Sequence, residues 1–320
     1  MAPKRDRRMS AVVEIVVPVF ALILCGWGFA RGGPLPPGGA RAVGVFVFNL
    51  AIPALLFRAM ARGLPPFGEA GGLLAAYYGG VALIYLTAEL LGRRLFRIGA
   101  AERAVMGMSA GFSNVAVIGL PLVALAYGHD GLIPAVLIIA CHSPTLITTT
   151  TILVEAATGR GEGGLRVALA TFGSLLRNPI VVGVLAGIIW GGVGLGIPGP
   201  LQRFLDLLAG AAPPAALFAL GASLVEFRIR GALRESLLVV ALKLVGLPLL
   251  VWILAAFVFD VRPLWTAVAV LSAALPTGAN AFLLAQRYDV YVQRSATIVL
   301  VSTVASIVTL SLLLTLVPPP

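Results

Sequence analysis

Ten apolar stretches of about 20 residues recur along this 320-residue chain, and nothing else in it restricts the fold so severely. Their cores are residues 11–30, 41–61, 70–91, 104–127, 131–154, 167–191, 201–224, 235–258, 264–285 and 295–317. A helix rises 1.5 Å per residue, so about 20 residues cross the roughly 30 Å of bilayer hydrocarbon. The connections, marked by Gly, Pro or Arg, are too short to hold another domain. Composition removes the soluble alternative: a chain 59% hydrophobic and 11% charged cannot hide that much apolar surface inside a water-soluble globule. The expected fold is therefore an all-α polytopic membrane protein with ten transmembrane helices. The first run is long and no small-x-small cleavage site plainly follows it, so it is read as a helix rather than a signal peptide.

A net charge of +10 from 23 Lys and Arg against 13 Asp and Glu could suggest nucleic acid. The cations are scattered between apolar runs, with no basic stripe and no interleaved aromatics, so no nucleic-acid partner is expected and the bilayer is. Connections after odd-numbered runs hold thirteen: Arg31, Arg41, Arg93, Arg94, Arg97, Arg103, Arg160, Arg166, Arg228, Arg230, Arg234, Arg287 and Arg294. Those after even-numbered runs hold four: Arg58, Arg62, Arg203 and Arg262. The odd connections should be cytoplasmic, which puts both termini outside, although Lys4, Arg5, Arg7 and Arg8 of the N-terminal tail pull the other way. Abundant Ala, Gly and Arg with little Lys points to a bacterial chain, and so to a plasma (inner) membrane. Cys25 and Cys141 lie in separate apolar runs and predict neither a disulfide nor a metal site, and no cofactor is implied.

The interruptions of the apolar runs repeat across the chain. Pro18 and Pro179 are 161 residues apart, as are Gly119 and Asn280, and Tyr127 and Tyr288, while Pro53 and Pro213 are 160 apart. Residues 1–160 and 161–320 then form two five-helix repeats. An odd number of crossings inverts the second relative to the first, the design of many secondary transporters. Within this frame "SNVAVIGLP" in the fourth helix matches "LPTGAN" in the ninth: each puts a Pro, a Gly and an Asn where the helix would be deepest. Proline removes a backbone donor and glycine loosens the chain, so both helices should break where they cross. A break is tolerated only where it lines a cavity or is buried in protein. The same residue types also make simple packing kinks, and it is their coincidence in both halves that points to a site.

These residues resemble the auxin efflux carrier family, which includes plant auxin exporters and bacterial malate and malonate permease-like proteins. The resemblance spans nearly the whole chain, through "IPALLF", "SNVAVIGLPLVALAYG", "RNPIVVGVLAGIIW", "PPAALFALGASL", "LKLVGLPLL" and "LPTGANAFLLAQRY". It implies inverted repeats with broken, crossing helices 4 and 9. It also implies a scaffold of helices 1, 2, 6 and 7 that forms a homodimer, and a moving transport domain of helices 3 to 5 and 8 to 10. The long cytoplasmic insertion of some plant members is replaced here by "EAATGRGEGGLR". By motif, Asn114 matches the family's crossover asparagine, and Pro121 and Pro276 its prolines. Asn280 stands where plant members more often carry an apolar residue, which argues against auxin itself.

The candidate substrate site is then Asn114, Val115, Gly119, Pro121, Pro276, Gly278 and Asn280. Half-helix N-termini would offer free N–H groups and positive partial charge to a carboxylate, and the two amides would add hydrogen bonds. Four further polar residues are candidates. Lys243 could attract an anion or pair with Glu89, or its ammonium could reach for the membrane surface. His142 is either a proton relay or a packed histidine, and Gln286 follows the ninth-helix break near the cytoplasmic mouth. The four consecutive threonines of "TLITTTTIL" read as packing or as a polar cavity wall.

The expected function is secondary transport of small organic anions, carboxylates foremost, by elevator-type alternating access. The competing reading is a cation-coupled symporter or Na⁺/H⁺ antiporter of the same architecture, which would want carboxylates at the crossing; neither broken stretch has one. An enzyme is not expected: "GFSN" at 111–114 superficially suggests a serine nucleophile, but the only imidazoles are His129 and His142. A passive channel fits broken, repeated helices less naturally.

Overall fold

The computed structural model describes residues 4–36, 38–61, 67–159, 173, 177–226 and 233–316, with the side chains of 4–16, 67, 69 and 129 outside that description. Glu14, Arg62, His129, Arg160, Arg166, Arg228, Arg230, the basic side chains of the N-terminal tail and the start of the sixth apolar run therefore lie outside the described residues.

Every regular element the chain forms among the described residues is helical. In order it forms α1 (Lys4–Gly32), α2 (Gly39–Ala61), α3 (Ala70–Phe96), α4 (Ala100–Gly111), α5 (Val115–Gly128), α6 (Asp130–Thr158), α7 (Pro179–Val193), α8 (Gly199–Ser223), α9 (Leu233–Val258), α10 (Pro263–Ala274), α11 (Asn280–Tyr288) and α12 (Val292–Leu316). Six of these, α2, α3, α6, α8, α9 and α12, are long and apolar enough to cross a membrane, and shorter apolar helices accompany them. This is an integral membrane protein. The fourth apolar run is divided into α4 and α5 and the ninth into α10 and α11, while Gly128 (φ 61°) separates α5 from α6.

Local sequence explains the helix ends and the irregular turns. Asn178 caps α7, its side chain accepting from the Ile180 N–H at 2.9 Å, with Pro179 at the first helical position, where its missing donor costs nothing. Wide π turns at Val47–Ala51, Val115–Gly119 and Leu242–Gly246 each come just before a proline: Pro53, Pro121 and Pro248. A proline ring collides with the carbonyl four residues back in a regular helix, and the wider turn moves that carbonyl aside.

Packing pairs helices from the two ends of the chain. α1 lies along α8, α2 along α7, α3 against α9, and α10 against both α9 and the α5–α6 segment. The first two contacts are backbone-close. Gly183, Gly187 and Gly191, one turn apart on α7, face the backbone carbonyls of Pro53, Phe57 and Met60. Small residues at this spacing let helices approach in lipid, where association depends on packing rather than on the hydrophobic effect. Gly26 and Gly221 do the same for α1 and α8; a Cβ at Gly221 would overlap the Ile23 carbonyl.

Gly221→Leu should therefore destabilise the protein by about 3 kcal/mol or more, because backbone cannot yield as a side-chain tip can. Gly210→Leu on the same helix meets open space and should be close to neutral. Thermal unfolding in detergent separates the two.

Candidate functional site

The site is built from the two helix breaks. α4 ends at Gly111, and Phe112 (φ −81°, ψ 108°) takes the chain into an extended segment that re-enters helix at Val115. α10 ends at Ala274, and Leu275 (φ −64°, ψ 152°) does likewise before Asn280. These extended pieces lie antiparallel with Ser113 opposite Thr277. The Asn114 N–H donates to the Pro276 carbonyl at 2.9 Å, and the Gly278 N–H donates to the Phe112 carbonyl at 3.0 Å. Groups that each break removes from its own helix are thus satisfied by the other break. Gly278 is required there, since a Cβ would stand 2.7 Å from the Phe112 ring.

The amides facing away from this two-rung ladder are met by side chains from the helices that follow. The Ser113 N–H donates to His142 Nε2 at 2.8 Å, and the Thr277 N–H to Ser302 Oγ at 3.1 Å. Carbonyls in the last turns of α4 and α10 are met in the same paired manner. Thr277 Oγ1 donates to the Ser109 carbonyl at 2.8 Å, and Lys243 Nζ donates to the Ala273 carbonyl at 2.6 Å. Lys243 Nζ also donates to Ser113 Oγ at 2.9 Å, which accepts from the Tyr77 hydroxyl at 3.2 Å. An imidazole that accepts at Nε2 carries its proton on Nδ1, so His142 is held as the neutral Nδ1–H tautomer.

A cavity of about 990 Å³ opens against this crossover. Its polar wall is Ser113, Asn114 and the first residues of α5, facing Gly278, Ala279 and Asn280 at the start of α11; α2, α6, α7 and α8 complete it. Ala116, Val117 and Asn280 occupy first-turn positions, where no preceding turn accepts their N–H groups, so both half-helices turn positive ends to the cavity. Among the described lining residues the only charged side chain is Arg41, and none is a carboxylate. No cluster of His, Cys, Asp and Glu suited to a metal occurs among the described residues, and both cysteines are free.

Of the residues singled out from sequence, Asn114, Val115, Gly278, Asn280 and His142 line the cavity. Gly119, Pro121 and Pro276 are buried behind the crossover instead; Gly119 packs against Leu275, where a Cβ would come within 2.7 Å, and its N–H donates to the Asn114 carbonyl. Lys243 neither pairs with Glu89 nor reaches outward: it is fully buried and bound to Ser113 and Ala273. Glu89 is held by Arg103 at 3.1 Å, one helix away. Gln286 is exposed and off the cavity wall. In the ladder itself Ser113 stands opposite Thr277.

Sequence reading overlooked Ser113, Thr277, Arg41 and Ser302. Ser113 and Thr277 were open to discovery, as small hydroxyl residues beside the Asn and Gly already singled out. Arg41 had been grouped with the topology-setting arginines, and nothing local in the sequence separates it from them.

A helical membrane protein whose two broken helices cross beside a largely apolar cavity with a few polar groups at the crossing has the form of a membrane transporter. A family model described as "Membrane transport protein" matches residues 11–163 and 164–314, and the chain belongs to that auxin efflux carrier-like family, one of transporters rather than enzymes. It is 29% identical over 309 residues to a Rhizobium meliloti (strain 1021) protein named "Putative malonate transporter", covering 97% of both chains. It is also 28% identical to an uncharacterized transporter of Methanothermobacter thermautotrophicus, over 93% of this chain and 96% of that one. To the uncharacterized transporter YfdV of Escherichia coli (strain K12) it is 25% identical, over 92% and 94%.

His142→Ala and Ser302→Ala each leave a buried crossover N–H without its acceptor. Each should cost about 1–3 kcal/mol, seen as a melting temperature several degrees lower in detergent. Thr87→Ala, which removes a hydroxyl bonded only to its own helix on an exposed face, should leave melting unchanged.

Proposed function

We propose that this protein is a secondary carrier of small organic anions, carboxylates in particular, that binds its substrate in the cavity at the helix crossover. The observation that carries this reading is the chemistry of the cavity wall: two half-helix N-termini, the amides of Asn114 and Asn280, and Arg41, with no carboxylate among the described lining residues. Such a wall favours a carboxylate through oriented N–H groups and disfavours a bare cation. The name of the Rhizobium meliloti relative supports a short dicarboxylate such as malonate as the first substrate to try.

In this reading the ten apolar runs are ten crossings forming two inverted five-helix repeats, 1–160 and 161–320. The mirrored pairing of α1 with α8 and α2 with α7 supports it, as does the paired bonding of the two breaks. The scaffold is α1, α2, α7 and α8, and the remaining helices are the transport domain that slides against it, elevator fashion, carrying the crossover from one side to the other. Exposed apolar side chains on the scaffold, such as Ile189 (68% exposed) and Leu207 (76%), give it a face for lipid or for a second copy in a homodimer. The membrane is a bacterial plasma membrane with both termini outside. An interior-negative potential would then favour efflux by about 2.3 kcal/mol per charge per 100 mV.

Purified protein in liposomes on a solid-supported membrane should give currents with mono- or dicarboxylates. Asn114→Ala should lower them at least about tenfold, since the lost amide would have bonded the substrate's charged group. Current evoked by a Na⁺ or pH step alone, with every acid silent, would overturn the organic-anion reading in favour of a cation antiporter.

A further inference from the structure

Lys243 is the one fully buried basic side chain among the described residues, and no carboxylate is among its partners. It sits in the wide turn Leu242–Gly246 of α9 and is fully shielded, with α3, α4, α10 and α12 packed around that turn. The carboxylates described on those helices and on α9 are engaged elsewhere: Glu89 by Arg103, and both Glu102 and Glu235 by Arg294. The ammonium has instead a serine hydroxyl and a main-chain carbonyl, Ser113 Oγ at 2.9 Å and Ala273 O at 2.6 Å. The second bond is as short as charge-assisted ones are. Ala273 lies in the last turn of α10, where the carbonyl ends of a helix carry negative partial charge.

An ammonium taken out of water is destabilised unless negative charge stands near it, and two dipoles compensate only part of that. In carriers with discontinuous helices, the carbonyl ends of half-helices are the places that hold a coupling cation. In this protein that place, at the C-terminal end of α10, is filled by a cation covalently attached to α9. Ser113 joins the two functions, since its hydroxyl binds Lys243 and the residue itself lines the cavity. The positive charge therefore stands one side chain behind the wall onto which α5 and α11 open their N-termini.

We propose that Lys243 is a tethered counter-cation: it takes the position a transported Na⁺ would need at the crossover, and a carboxylate in the cavity supplies the negative charge its own surroundings lack. This rests on the organic-anion reading, and it adds that transport is independent of Na⁺ and that the fixed charge sets anion affinity. Lys243 acts through Ser113 and the field of the site, so it is a positioning and affinity-setting residue.

The test uses the full-length protein in two arms. In liposomes, uptake of radiolabelled malonate is compared in Na⁺ and in choline at equal ionic strength; the expected rates agree within about twofold. In detergent, malonate affinity is read from ligand-induced thermal stabilisation for the wild type, Lys243→Met and Ser113→Ala. Lys243→Met should weaken malonate binding at least about tenfold, the scale on which loss of one member of a buried charge pair is felt. Ser113→Ala keeps the charge and should weaken binding less than Lys243→Met does. Malonate uptake that requires Na⁺ would overturn the tethered cation while leaving the organic-anion reading standing. Unchanged malonate affinity in a folded Lys243→Met would do the same. If Lys243→Met does not fold, the Na⁺ comparison on wild type and the Ser113→Ala affinity decide: Na⁺ dependence, or binding abolished although the charge remains, rejects the proposal. A wild type that takes up malonate from neither medium and is stabilised by no mono- or dicarboxylate would overturn both readings together.

Discussion

The structure depends on a two-rung antiparallel ladder, in which the backbone of one broken helix satisfies that of another. Breaking a helix away from water strands N–H and C=O groups at several kcal/mol each unless they find partners. Phe112–Asn114 and Pro276–Gly278 solve this for each other, so neither break is affordable alone. The consequence spreads outward. Each extended segment has a second row of amides, and α6 and α12 must stand close enough to offer His142 and Ser302 to them. Each half-helix has carbonyls left at its end, and Thr277 and Lys243 must reach those. Polar residues that look isolated in the sequence are thus a connected set with one task.

That arrangement also decides the electrostatics. Two half-helices beginning beside the same crossing direct the positive ends of their dipoles at one cavity, and the amides of Asn114 and Asn280 stand with them. The carbonyl ends of α4 and α10 are closed off by protein donors. A crossover that opens N–H groups to the cavity and bonds carbonyls at its helix ends gives that cavity a positive backbone field. Membership of a membrane transporter family accords with a fold whose two helix breaks meet beside an internal cavity.

The apolar runs were legible as helices because lipid leaves a chain few choices: every backbone group must be satisfied internally, so a run of the right length and composition is helical. The two breaks were legible through Pro276, Gly278 and Asn114, whose backbone chemistry disfavours an uninterrupted helix. The atoms that pair across them were not: the ladder sets Ser113 opposite Thr277, and hydrogen-bond geometry between two remote segments decides which atoms meet. Pro121 and Gly119, expected among the crossover residues, are buried beside it and do not line the cavity.

What the sequence determined by itself was the class of the molecule, the helical elements and the stretches where they fail, since these follow from local hydropathy and the φ restrictions and donor count of single residues. Tertiary structure alone decided partners. Glu89 and Lys243 are held by different groups rather than by each other; His142 accepts from the Ser113 N–H; Arg41 faces the cavity. Which long-range neighbour a side chain finds depends on where remote helices cross, and a crossing is fixed by the joint packing of helices such as α1 with α8 and α2 with α7, not by any one segment.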